Sequence, residues 1–305
     1  MDDAPSTCSG ARSPEQVEPD GRLPPSALGI LSQELRRACP EAAPEGWQRL
    51  DGGRSNLCWR IAAPGGDLVL KLYRPARAGP VFPNDPEAEA RCLIHLDGQR
   101  LAPQFLARWQ GALGPCLVYR HLPGPLWQGD GRSLGRLLRR LHDHPVPEGV
   151  RRAPDGSAAL RLQIAAQIDG HAGARDLLAG LPGDEVAPFD RPVLLHGDPV
   201  AGNLVDTPGG LRLIDWQCPA LGDPCLDLAT VLSPAMSHLY LGRVLTAAEA
   251  GAFLAAYDRP ALIPRLRQLQ PFLSARMISH CLCRAAEGSA EDARAADLER
   301  QGWVI

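Results

Sequence analysis

Hydrophobic residues are spaced differently in the two parts of the chain. Between residues 47 and 124 they come in short runs separated by turn residues, a pattern that predicts β-strands. The predicted strands cover residues 47–51, 57–62, 68–73 and 105–109, and a fifth begins at residue 114. After residue 124 most hydrophobic residues recur every three or four positions, and this spacing predicts helices.

Helices are predicted before, between and after these strands. One covers residues 27–38, and another covers residues 86–98, where Asp85 can cap the first turn and Pro86 suits the first helical position. The later helices are predicted over residues 134–142, 158–181, 247–257, 263–286 and 290–301. Residues 1–27 are rich in proline, serine, glycine and acidic residues, so we expect them to be poorly ordered.

A group of polar residues follows a predicted strand over residues 191–195. Asp198 lies two residues after His196, Asn203 lies five residues after Asp198, and Asp215 closes a short apolar strand. Phosphoryl transfer needs a carboxylate that accepts the proton of a hydroxyl group and oxygen ligands that hold magnesium. Asp198 would be that carboxylate, Asn203 and Asp215 would bind the metal, and His196 would brace the catalytic loop. An ordinary turn and an ordinary strand end are the alternatives.

The spacing H-x-D-x4-N followed by a strand-terminal Asp is typical of the eukaryotic-like kinase fold. The chain has His-Gly-Asp where protein kinases have His-Arg-Asp, and Asp-Trp-Gln where they have Asp-Phe-Gly. In both respects it resembles the superfamily of aminoglycoside phosphotransferases and choline kinases. The segment LGDPCLDLA at residues 221–229 also matches the G-D-P-x-x-D-L-A pattern of that superfamily, in which Asp227 supports the catalytic loop. His142 ends a family helix and is interpreted as structural.

This resemblance covers residues 50–229 and implies an α+β, bilobal fold like that of the protein kinases. A small N-terminal lobe with an antiparallel sheet and a helix would span residues 28–119. A larger, mainly helical C-terminal lobe, which binds the acceptor and carries the catalytic loop, would span residues 120–305. A disordered segment over residues 1–27 would precede both lobes.

Lys71 is the only lysine among 32 basic side chains, and it lies in the apolar run 68–73. An unpaired buried ammonium group is costly, so Lys71 should have a partner unless it lies on the solvent face of an edge strand. In kinases such a lysine contacts the nucleotide phosphates and pairs with a helix Glu. Glu89 lies on the apolar face of helix 86–98 and is the expected partner, whereas Glu87 points away.

The same resemblance implies a nucleotide site with ATP and Mg2+ as cofactors. A loop at Gly52-Gly53, with Ser55 beside it, would cover the phosphates, although a plain hairpin turn is an alternative. The main chain from Arg120 to Leu122 would bind the adenine base at the hinge between the lobes. The side chains of Arg120 and Leu122 need not matter for this contact.

Composition excludes several other classes of function. A net charge of −3 and an isoelectric point near 6.2 give no electrostatic case for binding nucleic acid. No run of about 18 apolar residues could span a membrane, and the N-terminus lacks the apolar region of a signal peptide. Nine cysteines without a paired C-x-x-C set favour a reducing cytoplasm. The sequence does not indicate an oligomeric state.

The expected activity is transfer of the γ-phosphate of ATP to a hydroxyl group of a small molecule. Residues 121–195 contain nine acidic residues and nine arginines, which mildly disfavours a highly cationic antibiotic. Choline, thiamine, an amino alcohol or a sugar derivative fits at least as well, and Trp127, Tyr240 and Trp303 could form an aromatic wall. The main alternative is a non-catalytic pseudokinase. A protein kinase is disfavoured because the glycine-rich and Ala-Pro-Glu signatures are missing, and a metal hydrolase would need a metal-binding cluster.

Overall fold

An antiparallel sheet of five strands forms the first part of the fold. The computed structural model describes residues 23–42, 46–50, 55–74, 78–171, 173–183 and 185–303, so the Gly52-Gly53 turn and residues 1–22 lie outside it. The strands are β1 (Gln48–Leu50), β2 (Leu57–Ile61), β3 (Leu68–Leu72), β4 (Phe105–Gly111) and β5 (Gly114–Arg120), in the spatial order β1-β2-β3-β5-β4.

Lys71 lies in the central strand of this sheet. It pairs with Cys58 of β2 on one side and with Leu117 of β5 on the other, so the alternative of an edge strand is wrong. Successive side chains of a strand point to opposite faces. Leu68, Leu70 and Leu72 therefore pack in a core with helix α1 (Pro25–Ala38). Residue 71 faces the opposite side, where the second helix packs.

Helix α2 (Pro86–His95) covers that opposite face. It begins as predicted, because the Asp85 carboxylate accepts hydrogen bonds from the main-chain N–H groups of Glu87 at 2.9 Å and Ala88 at 3.0 Å. It ends at His95, three residues before its predicted end at Gly98. Gly98 has a left-handed φ of 73°. Glycine adopts this conformation at little cost, so the chain leaves the helix there. The packing places Glu89 in the interior.

Helices dominate the rest of the chain, as the sequence predicts. They are α3 (Gly131–His142), α4 (Gly156–Gln167), α5 (Ala174–Ala179), α6 (Cys225–Leu232), α7 (Pro234–Leu241), α8 (Ala247–Tyr257), α9 (Ile263–Ala286) and α10 (Ala290–Arg300). The long helix α9 packs against α4, α6 and α10. An α+β arrangement with two lobes results, while the predicted division at residues 119 and 120 stays a prediction.

The predicted helices also differ from the structure in other places. The helix predicted over residues 158–181 is broken into α4 and α5, because Gly170 and Gly173 adopt left-handed φ angles of 75° and 80° between them. Helix α7 was not predicted. Helix α1 begins at Pro25, so the last three residues of the segment expected to be disordered are helical.

Two small pairs of strands in the C-terminal lobe carry the candidate site. β6 (Val193–Leu195) pairs with β9 (Ala220–Gly222), and β7 (Leu204–Thr207) pairs with β8 (Gly210–Leu213) in a hairpin. Within the described residues, eight cysteines are free thiols, six of them buried. No helix in that part of the chain is long and apolar enough to cross a membrane.

Candidate active site

The buried carboxylate of Asp227 holds the catalytic loop in place. The loop follows β6, and the main-chain N–H groups of His196 and Gly197 each donate to this carboxylate at 2.9 Å. His142 Nε2 donates to it at 3.1 Å. Burial acts to raise the pKa of Asp227, but the hydrogen bond and charge of His142 outweigh it and hold the pKa below the ordinary value. These contacts agree with the scaffold roles predicted for Asp227 and His142.

His196 supports the catalytic loop through hydrogen bonds and lines neither of the two cavities at Asp198. Its Nε2 donates to the main-chain oxygen of Ile214 at 3.0 Å, and its Nδ1 accepts from the main-chain N–H of Asp198 at 3.3 Å. This pattern fits the neutral imidazole, and burial lowers the pKa of His196. The ring is therefore placed to brace the loop and not to act on a bound substrate.

Lys71 is buried between two carboxylates. Its Nζ lies 2.5 Å from Glu89 Oε2 and also contacts Asp215 Oδ1, while the hydroxyl of Tyr73 donates to Glu89 Oε2. Burial acts to lower the pKa of Lys71, but the charges of Asp215 and Glu89 outweigh it and raise the pKa, so the ammonium stays protonated. The ion pair expected between Lys71 and Glu89 is present, and it extends to Asp215.

Asp198, Asn203 and Asp215 come together beside this ion pair. Asn203 Nδ2 donates to the main-chain oxygen of Asp198 at 2.9 Å and to its Oδ2 at 3.1 Å. Asp215 has a left-handed φ of 62°, a conformation that Asp tolerates better than most residues. Burial and the charge of Asp215 raise the pKa of Asp198 to about 7, against opposing effects of Arg276 and Asn203. A carboxyl group with that pKa is suited to proton transfer near neutral pH.

Two cavities meet at Asp198. The larger cavity, of about 610 Å3, lies between the sheet and the catalytic loop; its apolar walls include Val69, Tyr119, Leu122 and Ile214, and its polar end is formed by Asp198, Asn203 and Asp215. The smaller cavity, of about 150 Å3, is also lined by Asp198 and otherwise mainly by residues of α4, α7 and α9. Ser55, Gln217 and Tyr240 also line both cavities.

Comparison with protein families connects this geometry to a group of enzymes. Residues 46–271 match the model of a family described as the phosphotransferase enzyme family. The chain belongs to that family. Among curated protein sequences, this phosphotransferase has no match.

Solved structures share its fold at low sequence identity. Macrolide 2′-phosphotransferase from Brachybacterium faecium is 20% identical, with 89% of this chain and 97% of that chain covered and a TM-score of 0.55. Choline kinase from Cryptosporidium parvum is 12% identical, with 89% and 92% covered and a TM-score of 0.62. Spectinomycin phosphotransferase, in complex with ADP and spectinomycin, is 15% identical, with 89% and 93% covered and a TM-score of 0.57.

These neighbours confirm the α+β, bilobal kinase-like fold predicted for the phosphotransferase. Family and fold together support a kinase-type phosphotransferase that acts on a small molecule. The roles of individual residues within the site remain predictions. The residues differ in how well their positions suit the predicted roles.

At the predicted hinge of the phosphotransferase, Arg120 and Leu122 are placed differently. The main-chain N–H of Arg120 donates to Gln104 at 2.9 Å, and its guanidinium donates to the main-chain oxygen of Gly66 at 2.8 Å. Arg120 is therefore tied to the sheet and does not line the larger cavity. His121 and Leu122 do line it, so the predicted base-binding segment narrows to the main chain of these two residues.

A network of side-chain amides connects the two lobes and was not predicted. Asn56 Nδ2 donates to Gln217 Oε1 at 2.7 Å and to Asn84 Oδ1 at 2.8 Å. Gln217 Nε2 in turn donates to Ser55 Oγ at 3.4 Å. Ser55, a predicted nucleotide contact, is thus positioned over the junction of the cavities by Gln217. The feature of the sequence that could have indicated this network is Gln217, the last residue of the Asp-Trp-Gln that replaces Asp-Phe-Gly.

The oxygen atoms at Asn203 and Asp215 fit magnesium in the presence of a nucleotide. Mg2+ in kinase sites is bound by one or two carboxylates together with substrate phosphates and water, so a full protein cage is not needed. Within the described residues, no group of three or more His, Cys, Asp or Glu could hold a metal ion. Both ring nitrogens of His196 are already hydrogen-bonded, so it is not available as the ligand that the metal-hydrolase alternative needs.

Proposed function

We propose that this phosphotransferase is an ATP-dependent, magnesium-requiring kinase that phosphorylates a hydroxyl group of a small molecule. The observation that carries the proposal is the position of Asp198, between a cavity with charged groups at one end and a second, smaller cavity. A carboxylate at that boundary can accept the proton of an alcohol bound in one cavity while the oxygen of that alcohol attacks the γ-phosphorus of a nucleotide bound in the other and ADP leaves.

The larger cavity is the proposed nucleotide site. Its apolar walls suit an adenine ring, and the main chain near Leu122 could hydrogen-bond its edge. Lys71, held by Glu89, would neutralise the phosphates, and Ser55 would contact them at the junction of the cavities. Mg2+, when bound with ATP, supplies positive charge that stabilises the transferring phosphoryl group. Asn203 and Asp215 are the residues that would hold it.

Asp198 would act as the general base. Its pKa of about 7 leaves a large fraction ionised at neutral pH and still basic enough to take a proton from an aligned hydroxyl group. Asn203 fixes the carboxylate through its hydrogen bond to Oδ2. His196 and Asp227 fix the loop that carries it. Catalysis would then consist mainly of positioning and electrostatic stabilisation.

The proposal is tested by ADP formation from Mg-ATP with a panel of alcohols: glycerol, myo-inositol, glucose, homoserine, choline, ethanolamine, thiamine and kanamycin. We expect one class of alcohol to stimulate ADP formation and Asp198→Asn to lower that rate at least ~10²-fold. Asp206→Asn is the matched control, because Asp206 is exposed on β7. Nucleotide binding without stimulation by any alcohol would favour the pseudokinase alternative.

A further inference from the structure

The smaller cavity lies where a phosphate acceptor would have to bind if the proposed kinase function holds. It is lined by Asp198 but by neither Asn203 nor Asp215, which line the larger cavity. Its walls come from the segment before α2 and from α4, α7 and α9, none of which carries a recognised motif. The side chains that line this cavity therefore indicate which class of acceptor this particular protein binds.

The size of the smaller cavity limits the acceptor. Its volume is about 150 Å3, whereas drug-sized ligands occupy pockets of roughly 300–1,000 Å3. Gly79 and Gln167 line this cavity, and a side chain at Gly79 would come within 3.8 Å of the Gln167 amide oxygen. A single ring or a short chain fills a space of this extent, whereas a multi-ring aminoglycoside could enter it only in part.

A buried arginine behind the cavity disfavours a cationic ligand. Arg276 donates to Gln163 Oε1 at 3.0 Å and to the main-chain oxygen of Val81 at 2.9 Å, and no carboxylate of the described residues forms an ion pair with it. Its guanidinium lies 5.3 Å from the centre of the Phe82 ring, which lines the cavity. Burial lowers the pKa of Arg276 to about 10, so it is still charged at neutral pH.

The remaining charges at the cavity balance one another. Arg284 Nη1 lies 2.6 Å from Glu287 Oε2, one turn further along at the end of α9. The positive charge of Arg276 is opposed by the carboxylate of Asp198. His280, which also lines the cavity, packs edge-on against Phe82 at 4.8 Å between ring centres. An ammonium group would therefore find no surplus of negative charge to bind.

One polar side chain in the cavity is ready to bind a hydroxyl group. Gln167 Oε1 is buried and has no hydrogen-bond partner within the described part of the chain. An unsatisfied buried amide oxygen costs free energy, which a ligand hydroxyl would recover by donating a hydrogen bond. The main chain of Gln167 is fixed separately, since Cys283 Sγ donates to its carbonyl oxygen at 3.0 Å.

From size, charge balance and this amide, we infer that the acceptor is a small uncharged alcohol, either a single sugar ring or an acyclic polyol. One hydroxyl lies against Asp198 and another donates to Gln167 Oε1. Phe82 and Tyr240 contribute apolar ring surface for the carbon skeleton. The inference rests on the proposed kinase function in one respect, namely that the bound alcohol receives the phosphoryl group. Binding of that alcohol can be measured separately.

The first experiment measures binding by calorimetry to the full chain loaded with Mg2+ and a non-hydrolysable ATP analogue. Glycerol, myo-inositol, glucose, choline and kanamycin are the probes. We expect one of the three uncharged alcohols to bind and Gln167→Leu to weaken that binding about tenfold, since one hydrogen bond is lost. Gln268→Leu is the matched control, an exposed glutamine on α9. Binding of only choline or kanamycin, or of no uncharged alcohol, would overturn the inference.

A second pair of variants tests the charge of the acceptor. Arg284→Gln leaves Glu287 without this cation, whereas Glu287→Gln leaves Arg284 without this anion. For an uncharged alcohol the two variants should change Kd by similar factors, because no Coulomb energy distinguishes them. A cationic acceptor would bind the first variant about tenfold or more tighter than the second. A difference of this size in Kd for the acceptor that binds would contradict its assignment as an uncharged alcohol.

Turnover separates this inference from the proposed function. An uncharged alcohol that binds through Gln167 but does not stimulate ADP formation would contradict the kinase proposal and leave the binding site intact. ADP formation that depends on choline or kanamycin alone would support the kinase proposal and overturn the inferred acceptor class.

Discussion

The two cavities that meet at Asp198 are built on different physical principles. Beside the larger one, Lys71 is buried between Glu89 and Asp215, and Asp215 also lines the cavity, so fixed charges lie at this end. Around the smaller one the charges cancel, and Gln167 offers a neutral hydrogen-bond acceptor. The first arrangement suits a highly charged ligand such as a nucleotide, and the second suits an uncharged one.

This difference explains why the sequence reveals one site and hides the other. A buried charge needs a partner at a defined position, so the charged residues leave recognisable spacings in the chain. A neutral cavity needs only shape and a few amides or aromatic rings. Substitutions beside the larger cavity should therefore have large effects on turnover, and those beside the smaller one should change selectivity.

The largest effect is expected when Lys71 is replaced by Arg. The charge is kept, but the wide planar guanidinium cannot take the place of the compact ammonium between two buried carboxylates. We expect kcat/KM for ATP to fall at least ~10²-fold, on the scale of electrostatic contacts in the transition state. The rate of ADP formation at a saturating acceptor concentration measures this effect.

Arg60→Lys is the control for Lys71→Arg. Arg60 pairs at 2.5 Å with Asp67, the residue before β3, and about two fifths of the Arg60 side chain is exposed (43%). Its exchange for Lys should leave the rate close to that of the parent protein, because exposed ion pairs contribute little. An unchanged rate in Lys71→Arg would contradict the assigned role of the buried ammonium.

A pH dependence should follow from the raised pKa of Asp198. Because only the ionised carboxylate accepts a proton, kcat/KM should rise up to about tenfold per pH unit below pH 7 and level off above it.

The stability of the folded protein should instead fall as pH rises over this range. The folded state favours the protonated carboxyl group, so its stabilising contribution is present below the ordinary pKa of about 3.9 and is lost as pH rises to about 7.

Rate profiles and urea unfolding at several pH values check both trends. Asp198→Asn should lack the fall in stability that the parent protein shows between about pH 4 and about pH 7. A rate that does not change from about pH 5 to about pH 8 would exclude Asp198 as the titrating base.

Much of the charged site could be predicted because each feature depends on local geometry. The Asp85 cap and the spacing along α2 put Glu89 in the interior, where it meets Lys71. The support of the loop by Asp227 follows from the matched family pattern. The smaller cavity could not be predicted, because Phe82 and Gln167 come from distant segments that only the packing of α4 and α9 brings together.

Other misses also have local physical causes. The break between α4 and α5 depends on two left-handed glycines, which hydrophobic periodicity does not register. At the hinge, hydrogen bonds to Gln104 and Gly66 tie Arg120 to the sheet, and no motif specifies these partners. Of the proposed aromatic wall, only Tyr240 reaches the cavities at Asp198. Trp303 instead donates to Glu299 at 2.7 Å.

A smaller effect is expected from Gln217→Leu. This change removes the hydrogen bond that Gln217 accepts from Asn56 and the one that it donates to Ser55, which position Ser55 at the junction of the cavities. We expect KM for ATP to rise roughly three- to tenfold with little change in kcat, since one or two hydrogen bonds are lost. Gln110→Leu, at an exposed position of β4, is the control. A change confined to the acceptor KM would place Gln217 with the smaller cavity instead.

The smallest effect is expected from Glu87→Gln on α2. Glu87 pairs with Arg108, and both side chains are about half exposed (56% and 48%), so the free energy of unfolding should change by less than about 1 kcal/mol. Glu89→Gln, two residues along, breaks a buried pair and should cost ~3–5 kcal/mol. Urea denaturation of both variants compares them directly. Equal effects would show that burial does not distinguish the two carboxylates.

The most direct test of the account follows the γ-phosphate itself. The full chain is incubated with Mg2+, ATP labelled with 32P at the γ position and the alcohol that stimulates ADP formation, and the label is traced in the products. We predict that the label moves to the alcohol, and that Asp198→Asn binds ATP but transfers almost none. Label released only as inorganic phosphate, or equal transfer by Asp198→Asn, would contradict a kinase that uses Asp198 as its base.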